Sequence, residues 1–138
     1  FDFIFIDCPP SLGLLTINAL GAADSVLIPI QCEYYALEGV ASLMNTISRV
    51  KKTINPHLEI EGVLLTMLDG RTNLGLQVGD EVKKHFKKQV YATVIQRSVR
   101  LGEAIHVDDK RSAGCVAYVN LAKEVLKRNN IKVKEFKL

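Results

Sequence analysis

The carboxylate of Asp7 directly follows an apolar run, Phe3-Ile4-Phe5-Ile6, that offers no polar residue to either face. Such a run predicts a strand covered on both sides, as in a parallel sheet. Ligands of parallel sheets collect at the carboxyl ends of the strands, where Asp7 would lie. A carboxylate at that edge suits a Mg²⁺ ion that bridges nucleotide phosphates. By itself, an aspartate at the end of a strand more often forms a turn or caps a helix.

Positive charge is concentrated in the second half of the chain. Residues 1–69 contain three Lys or Arg against eight Asp or Glu, whereas residues 70–138 contain fifteen against seven. This asymmetry favours a surface that faces a polyanion in the second half. Basic helix faces exposed to solvent give the same asymmetry, so the counts alone do not assign a partner.

The cysteines and histidines do not indicate catalysis or metal binding. Cys8, Cys32 and Cys115 are odd in number, far apart and outside any C-x-x-C spacing. This favours free, buried thiols in a reducing cytosol. The histidines have no metal-ligand spacing, and no Ser/His/Asp arrangement is recognisable in the sequence.

Strand-like and helix-like patterns alternate along the chain. Apolar runs predict strands at Phe3–Asp7, Ser25–Ile30, Gly62–Thr66 and Tyr91–Ile95. Apolar stripes predict helices at Ser11–Leu20, at Tyr34–Thr53, around Leu74, Val78, Val82 and Phe86, and at Ser112–Arg128. The predicted N-caps are Ser11 for the first helix and Thr72 or Asn73 for the third. We therefore predict an α/β fold with right-handed βαβ units, a parallel sheet and helices on both faces.

No linker or repeat divides the sequence. Its 138 residues match one domain, and no apolar run approaches the roughly 20 residues that span a bilayer. The first residues do not resemble a signal peptide, so we expect a cytoplasmic protein. The basic tail, residues 129–138, alternates apolar and polar residues and fits either an edge strand or a frayed end.

The stretch Asp7-Cys8-Pro9-Pro10-Ser11-Leu12-Gly13-Leu14-Leu15-Thr16 resembles the Walker-B and switch-II segment of the ParA/Soj chromosome and plasmid partitioning ATPases. The resemblance continues in order through residues 26–39, 64–74 and 99–104, and covers nearly all of residues 1–128. With the MinD proteins, this family forms the deviant Walker-A group of P-loop NTPases. Its members begin with a glycine-rich phosphate loop that carries two lysines, and no such loop occurs in this sequence. The resemblance therefore implies that residues 1–138 are a single partial domain, the carboxyl-terminal half of such an ATPase.

The resemblance also implies nucleotide contacts with ATP and Mg²⁺. Asp7 matches the Walker-B carboxylate that holds Mg²⁺ through water, and Pro9 and Pro10 match the stiff switch loop beneath the γ-phosphate. Met67 and Asp69 fall where the family places its adenine pocket. There a methionine can lie flat on the purine and a carboxylate can accept from its amino group. Core packing would explain Met67 nearly as well, and the prolines also suit a helix start.

The sequence departs from the family at two places on the nucleotide side. The family usually has Ile-Pro-Arg after its last strand, whereas this chain has Ile95-Gln96-Arg97. The resemblance still implies nucleotide contacts for Gln96 and Arg97, and the amide of Gln96 can contact the base where the family has its proline. The loop at 105–111, on the same nucleotide side, is shorter than in the family.

Arg71 and Arg100 correspond to arginines that family members use to bind duplex DNA without sequence specificity. Phosphate contact requires exposed cations and no base readout, and each neutralised phosphate releases counterions. Both arginines belong to the basic half of the chain. Arginines that merely face solvent are the alternative.

The resemblance implies a homodimer that sandwiches two ATP molecules and binds DNA at the nucleoid. Hydrolysis, stimulated by a ParB-type centromere-binding partner, would switch it off. The principal lysines lie in the missing half, so no catalytic residue is expected here, and the fragment alone should neither bind ATP tightly nor hydrolyse it.

One alternative is a catalytically silent DNA-binding or interaction module. A MinD-type membrane-cycling ATPase is disfavoured by the loop Gly70-Arg71-Thr72-Asn73 and by a tail without an amphipathic helix, so no membrane partner is expected.

Overall fold

The computed structural model of the protein describes residues 1–9, 11–98 and 112–131. Its elements, in chain order, are α1 (Leu14–Ala22), β1 (Ser25–Gln31), α2 (Ala36–Thr53), β2 (Glu59–Thr66), α3 (Asn73–Phe86), a 3₁₀ turn (Lys87–Gln89) and α4 (Ala113–Arg128). Helices and strands alternate up to α3, as the sequence patterns predict.

The sheet is parallel. β1 pairs with β2 along its whole length, from Ser25 opposite Glu59 to Gln31 opposite Thr66. Residues 90–96 run along the other edge of β2. They are held by hydrogen bonds from the Tyr91 amide to the Val63 carbonyl (2.8 Å) and from the Ile95 amide to the Leu65 carbonyl (2.9 Å). The predicted α/β architecture with a parallel sheet is confirmed.

Helices cover both faces of this sheet because side chains of β2 alternate between them. Val63 and Leu65 are fully buried on the face that α1, α2 and α3 cover, where they join a core containing Ile28, Ile47 and Val82. Leu64 points the opposite way and packs with Tyr91, Ile95 and the partly buried Ala117, Leu121 and Val125, of which the last three belong to α4.

Polar side chains set several helix ends. Thr72 caps α3 by accepting from the Gly75 amide (3.2 Å), and Ser112 caps α4 by accepting from the Cys115 amide (3.2 Å). Asn55, just beyond α2, donates to the carbonyls of Leu20 (3.1 Å) and Ala23 (2.7 Å), and so joins the ends of α1 and α2. These contacts satisfy backbone groups that have no partner within their helices.

The predicted cap at Ser11 is wrong. Helix α1 begins later, at Leu14, with Gly13 in the capping position and no side-chain hydrogen bond. The Ser11 carbonyl instead accepts from the Thr16 hydroxyl (2.7 Å), which ties the approach segment to the first turn of the helix.

The predicted strand Phe3–Asp7 is also absent: these residues have no secondary structure. Ile4 and Phe5 are 85% and 77% exposed. An apolar strand needs neighbouring strands for its amides and covering layers for its side chains. No neighbouring strand pairs with residues 3–7 in the described parts of the chain, whose sheet consists of β1 and β2. Both requirements are therefore unmet.

The predicted strand Tyr91–Ile95 lies beside β2 but is interrupted. Only its flanking residues form single bridges, Val90 with Val63 of β2 and Gln96 with Leu68 just beyond β2. The amides of Ala92 and Thr93 donate to the carboxylate of Glu124 on α4, at 2.8 and 2.9 Å. Because Glu124 engages these amides, the segment does not continue as a regular strand.

Among the described helices, none combines the length and the apolar content needed to cross a membrane. Most of the basic tail (132–138) and the shortened loop (105–111) lie outside the described residues.

Candidate nucleotide cleft

An open cleft of about 270 Å³ lies where β1 and β2 end. The sequence-predicted site residues Met67, Asp69 and Arg97 all line it. Its remaining lining residues, which the sequence reasoning did not assign to a site, are Cys32, Glu33, Thr72, Leu74 and Gly75. The carboxyl edge of a parallel sheet and the first turn of α3 together form the cleft, which is the usual ligand position in such folds.

Met67 turns the chain out of β2. Its φ of 53° lies in the left-handed region that residues with a side chain seldom adopt. The side chain is 44% exposed, so it is not a buried core residue and a ligand can reach it. This exposure favours the pocket role of Met67 over the core-packing alternative.

Asp69 and Arg71 form a bidentate ion pair at the rim of the cleft. The Arg71 Nε donates to Asp69 Oδ1 (2.9 Å), and Nη2 donates to Oδ2 (2.8 Å). The Arg71 backbone amide adds a third hydrogen bond to Oδ1 (3.1 Å). The hydrogen bond from the Arg71 side chain holds the pKa of Asp69 well below its usual value, and in return Asp69 raises the pKa of Arg71. Asp69 is therefore a carboxylate at every physiological pH.

The first turn of α3 is held against this rim. The Asp69 carbonyl accepts from both the Thr72 amide (3.1 Å) and the Thr72 hydroxyl (3.0 Å). A Cβ added at Gly75 would lie 3.0 Å from Thr72 Oγ1 and 3.1 Å from the Asp69 carbonyl oxygen, so the absence of a side chain permits this close approach. Gly75 therefore lets the first turn of α3 pack closely on the segment from Asp69 to Thr72.

Arg97 and Glu33 connect opposite walls of the cleft. The Arg97 Nη2 donates to Glu33 Oε1 in an ion pair whose side chains are about half exposed. Glu33 follows β1, whereas Arg97 is fixed beside β2 by a hydrogen bond from its amide to the Leu68 carbonyl (3.0 Å). An exposed pair of this kind contributes little stability, so a ligand can displace it at small cost.

Cys32 lies at the base of the cleft and is buried. Burial raises the pKa of its thiol, and the positive charge of Lys83 only partly offsets this effect. A thiol with a raised pKa is a poor nucleophile, so Cys32 acts as a packing residue. The prediction of a free, buried thiol is confirmed for Cys32, whereas Cys8 is exposed and Cys115 is only partly buried.

The other predicted site residues lie elsewhere. Asp7 and Pro9 are exposed in the segment before α1 and do not line the cleft. Gln96 pairs with Leu68, close to the cleft but outside its lining. Pro10 and Arg100 lie outside the described residues.

The described part of the chain supplies little of a magnesium site. It holds no group of three or more His, Cys, Asp or Glu side chains placed to bind a metal ion. Asp7, an exposed carboxylate, suits an ion that keeps most of its waters and takes one protein oxygen. Magnesium in nucleotide sites is bound in this way, with substrate phosphates completing its coordination.

On the face of the sheet that α4 covers, a cluster of polar side chains positions residues 89–97. Arg128 of α4 donates to the carbonyls of Gln89 (3.2 Å) and Val90 (2.9 Å), and to the carboxylate of Glu124 (3.0 Å). The Tyr91 hydroxyl donates to Glu61 (3.1 Å). Through these contacts α4 fixes the segment that ends at Arg97, although α4 itself does not contribute to the lining of the cleft.

Comparison with known proteins shows which protein family this chain resembles. A family model described as an AAA domain matches residues 1–60. The sporulation initiation inhibitor protein Soj of Bacillus subtilis (strain 168) is 63% identical, over 91% of this chain and 52% of that protein. The chromosome partitioning protein ParA of Myxococcus xanthus (strain DK1622) is 54% identical, over 96% of this chain and 49% of that protein.

Solved structures agree with these matches. Cobyrinic acid a,c-diamide synthase from Mycobacterium smegmatis with bound ADP and magnesium superposes with a TM-score of 0.73 at 34% identity. The match covers 94% of this chain and 50% of that chain. This chain thus spans about half the length of the relatives it matches. With this identity along nearly all of its length and with a parallel α/β sheet, the chain belongs to the ParA/Soj family.

Proposed function

We propose that this chain is part of an ATP-dependent partitioning protein for a chromosome or plasmid, and that residues 1–138 belong to a single domain of it. The complete protein, meaning this chain together with the additional half found in its relatives, would bind ATP and Mg²⁺. The observation that carries this proposal is the cleft at the ends of β1 and β2, lined by Met67, Asp69 and Arg97. Ligands of open parallel sheets bind at this edge. The partitioning role in the name of the Myxococcus relative supports the same function.

The adenine base would lie in this cleft. The exposed side chain of Met67 offers an apolar surface to the purine, and Gly75 adds no side chain to the lining. Both carboxylate oxygens of Asp69 already accept hydrogen bonds from Arg71. The amino group of the base could therefore donate to Asp69 only if this ion pair opens, or if one oxygen accepts from both groups. Gln96, beside Leu68, is the further candidate for a polar contact with the base.

Asp7 would hold Mg²⁺ through water, and Pro9 and Pro10 would stiffen the loop beneath the γ-phosphate. The phosphates themselves need backbone amides and a lysine, which a P-loop supplies. In this proposal the P-loop belongs to the additional half, and its strands would also pair with and cover residues 3–7. The exposure of Ile4 and Phe5 supports this placement, because apolar side chains of this size are normally covered.

ATP turnover tests this assignment. The complete protein should hydrolyse ATP, and Asp7→Asn should reduce the rate to the background of a protein-free sample. Asp2→Asn is the matched control, because Asp2 is an exposed carboxylate in the same segment and should leave the rate unchanged. The 138-residue chain alone should neither bind ATP tightly nor hydrolyse it, and measurable turnover by that chain would contradict the proposal.

Arg71 and Arg100 would bind non-specific duplex DNA in the ATP-bound state. The Arg71 side chain is 87% exposed, which phosphate contact requires. For duplex DNA, a plot of log affinity against log salt concentration should become steeper by about 0.9 for each contacted phosphate. The double variant Arg71→Glu with Arg100→Glu should lower the affinity and this salt slope together. If affinity and slope stay unchanged, the DNA assignment is wrong.

The complete protein would act as a homodimer that sandwiches two nucleotides, in the cytoplasm and on the nucleoid. A ParB-type centromere-binding protein would stimulate hydrolysis and so release the protein from DNA. This partner should raise ATP turnover only when duplex DNA and the ATP-bound dimer are both available. Equal turnover with and without the partner would argue against this part of the proposal.

A catalytically silent DNA-binding module is the second candidate. The exposure of Arg71 favours it, because an exposed guanidinium can reach a DNA phosphate whether or not a nucleotide binds. Binding of a mixed-sequence duplex to the complete protein, with and without ATP, separates the two functions. Affinity that depends on ATP supports the partitioning ATPase, and equal affinity in both conditions supports the module.

A further inference from the structure

The ion pair of Asp69 and Arg71 uses the same guanidinium edge that a phosphate would need. Nε and Nη2 of Arg71 point to the two oxygens of one carboxylate, at 2.9 and 2.8 Å. A phosphate group offers two oxygens in a similar arrangement, and arginine recognises both anions through this planar fork. Carboxylate and phosphate are thus alternative partners for one set of donors.

The two side chains differ in their freedom to move apart. The Asp69 side chain is 22% exposed and that of Arg71 is 87% exposed. The backbone of Asp69 is fixed, because its carbonyl accepts two hydrogen bonds from Thr72, and its side chain is the less exposed of the two. Arg71 can therefore leave the pair by rotating its side chain into solvent, whereas Asp69 stays in place.

We propose that Asp69 is a positioning residue that competes with DNA phosphate for Arg71. Phosphate binding by Arg71 has to open the bidentate pair, which lowers the affinity for DNA. This inference rests on the proposed function, in which Arg71 contacts DNA. Because the Asp69 carboxylate also lines the cleft, a ligand there that donates a hydrogen bond to it favours the open pair.

The test is DNA affinity of the complete protein at saturating ATP, measured by fluorescence anisotropy with a mixed-sequence duplex. Asp69→Asn should bind about two to five times more tightly than the unchanged protein, the range expected when an exposed ion pair is lost. Asp80→Asn is the matched control, because Asp80 is an exposed aspartate on α3 and the substitution changes net charge equally. It should give a distinctly smaller gain.

A double-mutant cycle separates competition from a general charge effect. In the Arg71→Ala background, the additional Asp69→Asn substitution should give no more gain than Asp80→Asn does in that background. If the full gain of Asp69→Asn persists without Arg71, the competition does not exist. Thermal unfolding of each variant verifies that the backbone contacts of residue 69 are kept.

The outcomes distinguish this inference from the proposed function. If Arg71→Ala leaves DNA affinity and salt slope unchanged, Arg71 is not a DNA contact, and both the assignment and the inference are wrong. If Arg71→Ala weakens binding but Asp69→Asn resembles Asp80→Asn, the DNA contact stands and only the competition is refuted.

Discussion

The guanidinium of Arg128 lies over the ring of Tyr91, with 3.8 Å between its central carbon and the ring centre. The same guanidinium donates to the carbonyls of Gln89 and Val90, so a single α4 side chain fixes the two residues that precede Tyr91. Tyr91 itself is 2% exposed. The position of residues 89–97, and hence of the Arg97 wall of the cleft, depends on this contact.

Arg128→Ala should lower the free energy of unfolding by about 2–3 kcal/mol, because it removes charge-assisted hydrogen bonds and leaves partly buried acceptors without a partner. Urea unfolding monitored by circular dichroism measures the change. Lys127→Ala is the control, since Lys127 is the exposed neighbour on α4 and its loss should cost little. Equal destabilisation by the two substitutions would mean that Arg128 acts only through helix propensity.

Gly62→Ala should destabilise the protein by about 1–3 kcal/mol, because the added methyl group overlaps fixed neighbours. A Cβ at position 62 would clash with the Tyr91 ring and would lie 2.8 Å from Arg128 Nη1 and 2.9 Å from the Gln89 carbonyl oxygen. Gly39→Ala is the matched control, since nothing lies within 4 Å of its Cβ position in α2. It should stabilise the protein by about 0.5–1 kcal/mol. If both substitutions change the free energy of unfolding in the same direction, the close packing around Gly62 is contradicted.

Glu124 should make stability depend on pH in the acidic range. Burial tends to raise the pKa of Glu124, but hydrogen bonds from the Ala92 and Thr93 amides and from Arg128 outweigh it, so the pKa is lowered from its ordinary 4.5. A carboxyl group with a lowered pKa stabilises the folded state above that ordinary value. The contribution is lost as the pH falls through the lowered value.

The comparison of Glu124→Gln with the unchanged protein tests this dependence. The unchanged protein should be more stable near neutral pH, by about 1–2 kcal/mol, and the difference should shrink once the pH falls below 4.5. Urea unfolding across that range measures it. Glu81→Gln, at an exposed pair with Lys84, should show little difference at any pH. A difference for Glu124→Gln that grows with acidity would contradict the direction of the pKa shift.

Local patterns predicted most of the fold because the relevant interactions are local or periodic. The apolar stripe through Val78 and Val82 gave α3, and the side chain of Thr72 marked its start. The strand prediction at Phe3–Asp7 was wrong because pairing depends on partner strands, which a local apolar run does not reveal. Likewise, sequence alone does not show that Glu124, distant in the chain, would engage the amides of Ala92 and Thr93.

The site was predicted only where the family resemblance gave positions for its residues. Met67, Asp69 and Arg97 do line one cleft, but the pairing of Asp69 with Arg71 was not foreseen, although their spacing permits it. Glu33 was missed as well. It follows the end of β1 by two residues, as Leu68 follows the end of β2, so the rule that strand ends meet at one edge would have identified it.

ATP affinity of the complete protein, measured by calorimetry for Leu74→Trp and Leu76→Trp, tests the central claim most directly. Both leucines lie in α3 and have similar exposure, 44% and 46%, but only Leu74 lines the cleft. An indole at position 74 fills the cleft and should weaken ATP binding at least about tenfold, the scale of a lost ligand contact of 1.4 kcal/mol or more. Leu76→Trp should leave the affinity unchanged. Equal ATP affinity for both variants would mean that the nucleotide does not bind in this cleft.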